Sequence, residues 1–139
     1  MNDMEKVIIN VSRAKDGTYT AHCADCTALF GMGDTMDEAL AELRETLRIT
    51  REEIGRDKAA FYPDWIDGEY EFITKWAVED MLTYYAGIIT PAALGRISGI
   101  NPKQIWAYMH GISKPRKAQT EKIEHALHKL GRELTNASF

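Results

Sequence analysis

The stretch Thr90-Pro91-Ala92-Ala93-Leu94-Gly95-Arg96-Ile97-Ser98-Gly99-Ile100-Asn101-Pro102-Lys103-Gln104-Ile105-Trp106-Ala107-Tyr108-Met109-His110-Gly111 contains one device twice. Thr90-Pro91 and Asn101-Pro102 each set a capping side chain before a proline, and proline at the first helical position loses nothing by lacking an amide hydrogen. Gly99 and Gly111 stand where the two helices must stop, because glycine takes the left-handed conformation of a C-terminal cap without steric cost. The pattern predicts two short helices, to about Ser98 and to His110, joined by a turn of about three or four residues. Leu94 and Ile97 of the first are expected to share a core with Ile105 and Tyr108 or Met109 of the second, and Gly95 to clear the point where the helices cross. This is the spacing of a helix-turn-helix.

In that motif the outward residues at the start of the second helix enter the major groove. Here they are Pro102, Lys103, Gln104, Trp106 and Ala107. Lys103 can donate to guanine O6 and N7, Gln104 can pair with adenine, and Ala107 can touch a thymine methyl. Trp106 either flanks the groove or packs against the N-terminal half, and the packing role is the preferred one. Lys114, Arg116 and Lys117 follow around Pro115 and are expected at phosphates, with His110 and Thr90 as neutral donors. Thr120, Ile123, Ala126, Leu127, Leu130 and Leu134 form a last amphipathic helix whose surplus apolar face completes the domain core or a dimer seam. Duplex operators are usually read by two-fold assemblies, so a homodimer or higher homo-oligomer is expected.

Charge divides the chain in the same place. Residues 1–76 hold nine Lys/Arg against sixteen Asp/Glu, net −7, residues 77–87 add Glu79 and Asp80, and residues 88–139 hold eight against three, net +5. The total of −4 hides this asymmetry, which is the one expected when only one half meets a polyanion. The domain boundaries follow: an acidic domain over 1–76, a connecting helix over 77–87 and a DNA-binding domain over 88–139. No apolar run approaches the roughly 18 residues of a membrane span, and Met1 to Lys6 is too polar for a signal segment, so a cytoplasmic protein without a membrane partner is expected.

In the first half Val7, Ile9 and Val11 alternate with Ile8, Asn10 and Ser12, the period of a strand with one buried face. Asp16-Gly17 marks a reversal, and Tyr19, Ala21 and Cys23 alternate again to complete a hairpin. Ala28 to Gly33 reads as a third strand ending at Asp34. Thr35-Met36-Asp37-Glu38 has capping-box spacing, with the Glu carboxylate reaching back to the cap amide. The helix it starts carries one stripe of Met36, Leu40, Leu43, Leu47 and Ile54 with Ala39 and Thr50, keeps Arg44 and Arg48 largely on other faces, and closes at Gly55. Residues 56–69 read as a loop and Tyr70, Phe72 and Trp76 as alternate positions of a fourth strand. The fold class is α+β: a β-β-β-α-β layer followed by an all-α helix-turn-helix domain.

Two groups resemble catalytic or metal sites and have simpler readings. Cys23 and Cys26 form a Cys-x-x-Cys, but no second pair accompanies them and Cys23 alternates onto an apolar strand face, so buried or edge thiols are expected. Asp16, Asp25, Asp34 and Glu38 are carboxylates of the type that hold divalent ions, yet Asp16 serves a turn, Glu38 a capping box, and the other two sit in loops. No catalytic residue, metal site or cofactor is expected, and the chain does not read as an enzyme.

Taken together, Asp16-Gly17-x-Tyr19-x-Ala21, then Asp25, then Gly33-Asp34-Thr35-x-x-Glu38-Ala39-Leu40 resemble the hairpin, loop and helix start of HicB-type antitoxins, although Thr27, Ala28 and Leu29 stand where that family carries Pro-Gly-Cys. Leu94-Gly95-x-Ile97-x-Gly99-Ile100-Asn101 and Ile105 through Gly111 are similar to the Cro/repressor class of helix-turn-helix. The resemblance implies an N-terminal layer like a partial, inactive RNase H fold that binds and blocks a small basic mRNA-cleaving toxin of the HicA type. It also implies a C-terminal domain that represses the toxin-antitoxin operon through double-stranded operator DNA. The acidic N-terminal half would complement such a toxin. The rival expectation is a helix-turn-helix repressor with no toxin partner, whose N-terminal half senses a ligand or oligomerises.

Overall fold

Strand β1, Glu5–Arg13, buries the alternate residues Val7, Ile9 and Val11, while β2, Tyr19–Cys23, buries Tyr19, Ala21 and Cys23. The two pair antiparallel, with Ile9 opposite Cys23 and Arg13 opposite Tyr19. The reversal between them follows the expected chemistry: Gly17 has φ 90°, and the Thr18 amide donates to Asp16 Oδ1 at 2.9 Å. That bond holds the Asp16 carboxyl below the usual carboxylate range. The computed structural model describes residues 4–53 and 62–139.

Strand β3, Cys26–Gly33, begins two residues before the expected Ala28, because a register irregularity at His22/Cys23 sets Cys23 opposite Cys26 and extends the ladder. Helix α1, Met36–Glu53, lies on the buried face through Met36, Ala39, Leu43 and Leu47. Leu40 and Thr50 of the expected stripe are only half-buried, and Ile54, Gly55 and residues 56–61 lie outside the described residues. The capping box forms one residue displaced. Glu38 donates its amide to Thr35 Oγ1 at 3.1 Å, but its carboxylate accepts from the amide of Asp34, not from that of Thr35. Helix and sheet approach closely at Gly31, where a Cβ would collide with the Ala39 carbonyl oxygen and come within 2.6 Å of the Leu43 nitrogen.

The chain returns as β4, Tyr70–Trp76, parallel to β1 with Val7 opposite Phe72. The sheet order is β3-β2-β1-β4, so α1 is a crossover between parallel strands and covers one face of the sheet. Arg44 lies 5.2 Å from the Phe72 ring centroid and Arg51 5.0 Å from that of Tyr70, so two helix cations cover the β4 aromatics. Arg44 is exposed, off the buried stripe as its spacing implies, and still reaches this ring. The described part of the expected 56–69 loop holds a 3-10 turn, Asp64–Asp67, whose Trp65 and Ile66 are core residues. Trp65 Nε1 donates to Asp25 at 3.0 Å, and Arg51 donates to the carbonyls of Ile66 and Gly68. A four-residue turn is too short to show a period, which is why the sequence reads only as loop.

The remainder is helical: α2 is Val78–Tyr84, α3 Pro91–Ser98, α4 Pro102–Met109 and α5 Lys117–Thr135. The chain divides into two compact units, Met1–Ala77 and Val78–Phe139. The helix expected to connect the halves therefore belongs to the second unit, and its Leu82 is buried there with Leu94, Ile100, Ile105, Tyr108 and Ile123. Ile97 does not join them and is 40% exposed. The inward face of α3 is Leu94, Gly95 and Ser98, and Ile97 lies roughly 110° round the helix from its middle. Among the described residues no helix is long and apolar enough to cross a membrane.

Candidate nucleic-acid interface

The α3–α4 pair is held by the devices that define its ends. Thr90 Oγ1 accepts from the Ala93 amide at 3.0 Å with Pro91 in the first turn, and Asn101 Oδ1 accepts from the Lys103 amide at 2.9 Å ahead of Pro102. Gly99, at φ 76°, ends α3 in the left-handed conformation, and the Ile100 amide donates to Ser98 Oγ at 3.2 Å within the turn. Gly95 marks where the two helices meet: a Cβ there would lie 2.8 Å from Pro102 Cγ and 2.9 Å from the Ile100 oxygen. Ile105 and Tyr108 fasten α4 to the core from its inner side.

The opposite side of α4 carries Lys103, Trp106 and His110, all exposed. Trp106 is 48% exposed and stacks on the His110 ring, with centroids 4.0 Å apart and planes 27° apart, while His110 Nδ1 lies 2.8 Å from the Trp106 carbonyl oxygen. An i,i+4 aromatic stack of this kind holds the indole in one orientation. Ala107 is half-buried beside them. Gln104 is placed differently from Lys103. It is half-buried, and its Nε2 donates to Ser113 Oγ at 3.2 Å, so part of its amide is engaged inside the unit.

Lys114, Arg116 and Lys117 are exposed between α4 and α5. Lys117 stands 4.0 Å from Glu121 with both side chains largely solvated, a pair that holds neither charge firmly. Nothing in the spacing of residues 77–87 marks Glu79 of α2 as close to this end of α4. Its Oε1 would lie 2.8 Å from a Cβ at Gly111, next to His110. With α2 included, the second unit holds eight Lys/Arg against five Asp/Glu, net +3 in place of the +5 of residues 88–139. Thr90 spends its oxygen lone pair on the cap, so its hydroxyl remains available as a donor.

Asp25 and Cys23 of the first unit have structural work. Asp25 accepts from Trp65 and from Cys23 Sγ at 3.0 Å, tying the β2–β3 turn to the 3-10 turn. Burial, with that hydrogen bond, pushes the Cys23 thiol up to about 12, so it carries negligible thiolate near neutrality. Cys23 and Cys26 are both buried and unbridged. Among the described residues no group of three His, Cys, Asp or Glu is arranged to hold a metal ion. No family model, curated protein or solved structure matches the chain.

Proposed function

We propose that this chain is an antitoxin and autorepressor of the HicB type. Its first unit would bind and block a small basic mRNA-cleaving toxin, and its second would repress the operon that encodes both. The observation that carries the reading is α4. Ile105 and Tyr108 lock it from within, Gly95 and Pro102 meet where it joins α3, and Lys103 with the stacked Trp106 is exposed on its outer side, as are Lys114 and Arg116 in the segment that follows. Under this reading α3 and α4 are a helix-turn-helix and α4 enters the major groove. Lys103 donates to guanine, Ala107 meets a thymine methyl, and Trp106 flanks the groove on its histidine support. Gln104 contributes less base reading than Lys103 because Ser113 already holds its amide. Lys114, Arg116 and Lys117 take phosphates, with Thr90 and His110 as neutral donors.

Two features support the antitoxin role of the first unit. It carries net −7, complementary to an RNA-binding toxin, and its sheet order with a parallel fourth strand suits the partial RNase H-like layer that the resemblance implies. Inhibition by covering a partner needs no catalytic group, in keeping with carboxylates that are spent on turns, caps and a tryptophan. The reading includes cytoplasmic action and a homo-oligomer that presents paired α4 helices to an operator.

The test is growth of a host expressing the small open reading frame adjacent to this gene, with and without the full chain. Arrest relieved by the full chain, together with retarded migration of the operon's promoter DNA, is the expected result. Promoter binding without rescue would overturn the antitoxin role and leave a helix-turn-helix repressor with another trigger.

A further inference from the structure

The Cys-x-x-Cys of the first unit takes a geometry that its spacing does not announce. From His22 opposite Phe30, a regular ladder would set Cys23 opposite Leu29, but the irregularity in the pairing of β2 and β3 sets it opposite Cys26, with only Ala24 and Asp25 between them. Directly opposed residues of an antiparallel pair point to the same side of a sheet, and both thiols are buried and unbridged. Such partners have Cα atoms about 4.5 to 5.5 Å apart, inside the roughly 4.4 to 6.8 Å that a disulfide spans. One carboxylate connects this pair to the 3-10 turn. Asp25 Oδ1 accepts the Cys23 S–H at 3.0 Å and Asp25 Oδ2 accepts Trp65 Nε1–H at 3.0 Å, so a thiol hydrogen and an indole hydrogen are held by the two oxygens of one side chain.

We propose that Cys23 and Cys26 are a reversible dithiol–disulfide pair, oxidised by small disulfides of the glutathione class, and that closing the bridge loosens the tie between the β2–β3 turn and Trp65. Cys26 reacts first, because it keeps 8% of its surface against 1% for Cys23, whose proton Asp25 holds. Its thiolate attacks one sulfur of the small disulfide, and a small thiolate leaves. Cys23 then passes its proton through Asp25 Oδ1 and attacks the Cys26 sulfur, expelling the second small thiolate. Two protein thiols are oxidised, one small disulfide is reduced to two thiols, and the two protein protons end on those products. The bridge has no S–H to donate, so Asp25 Oδ1 loses its partner, and the exposed carboxylate is free to turn toward water and away from Trp65. Opposed Cβ atoms, about 4.5 to 5.5 Å apart, must close to about 3.8 Å, and so short a loop repays little chain entropy. The disulfide is therefore strained and easily reduced, which suits a sensor of oxidised thiols and not a structural bridge.

The test equilibrates the folded full chain in buffers of rising oxidised-to-reduced glutathione ratio, quenches in acid, alkylates in denaturant and reads the intact mass. The expected result is a reversible passage from two alkylated thiols to none, without retained glutathione or cross-linked chains. Tryptophan emission should change in step and return on reduction. Trp65→Phe should keep the thiol conversion and lose most of the emission change, because Trp65 is the indole that Asp25 holds. Cys26→Ser should leave Cys23 as a free thiol in the same buffers. Two thiols that persist at equilibrium in oxidised glutathione alone, or that bridge only after urea has unfolded the chain, overturn the pair. Conversion of the wild type with unchanged emission overturns the tie to Trp65. Neither toxin nor DNA enters the experiment, so its outcome is independent of the proposed function.

Discussion

The two units solve the same burial problem in opposite ways. The first covers one face of a four-stranded sheet with a single helix and leaves Ile8, Phe30, Met32 and Ile73 exposed on the other. The second closes short helices around six buried residues and keeps its distinctive side chains on the outside of α4 and in the segment that follows it. Under the proposed reading, a helix-turn-helix places its reading residues at fixed offsets from its caps, so the proposal can be argued residue by residue. A sheet with one open face offers a surface without saying which part of it a partner uses.

The sharpest way to break this comparison is at the helix–sheet contact. Gly31→Val drives a branched side chain into the backbone of α1 and is expected to cost about 3 kcal/mol or more. Unfolding followed by tryptophan fluorescence and by amide exchange should show the first unit lost and α2 to α5 still protected. Loss of protection in both units together would show that their stabilities are coupled. Ile105→Ala makes the converse change, removing a fully buried side chain behind α4 at about 2 to 4 kcal/mol. Under the proposed function, operator binding should fail while toxin rescue persists.

Smaller effects divide the surface of the second unit. Lys103→Ala should cost about 1 to 3 kcal/mol on the specific operator and little on random duplex, whereas Gln104→Ala should cost about 1 kcal/mol or less. Anisotropy titrations on both duplexes check this, and a larger loss at Gln104 would show that Ser113 releases it on binding. Neutralising Lys114 or Arg116 should weaken all duplexes alike and reduce the salt dependence by roughly one unit each. Lys117 should give a smaller change if Glu121 competes for it, read from the slope of affinity against salt. The mildest prediction concerns Cys23, whose elevated pKa leaves it protonated: native protein at pH 8 should resist iodoacetamide, and unfolded protein should react. Rapid native alkylation would show that the β2–β3 turn opens readily.

Much of the architecture could be read before any coordinates because its signals are local. Alternation of Val7, Ile9 and Val11, the Asp16-Gly17 turn, the Thr35 cap and the two cap-proline pairs each act within a few residues, and each recurs in the structure. Beyond the one-residue shift of the capping box and the early start of β3, the misreadings come from packing. Ile97 matches a helical apolar period yet points outward, because the meeting of Gly95 with Pro102 sets the inward face of α3. Trp65 lies in a stretch without periodicity and becomes core through Asp25, forty positions away in sequence. Glu79 and Asp80 looked like part of a connector and instead lower the charge of the helical unit.

The amino-acid sequence by itself determined the order of the strands and helices, most of their starts, and the outward position of Lys103 and Trp106 on α4, since capping, period and glycine conformation are properties of neighbouring residues. Only the tertiary structure decided that β4 lies parallel beside β1, that α2 joins the second unit and that Ser113 restrains Gln104. Those outcomes depend on which distant surfaces exclude water together, and chain packing settles that only once the local elements exist.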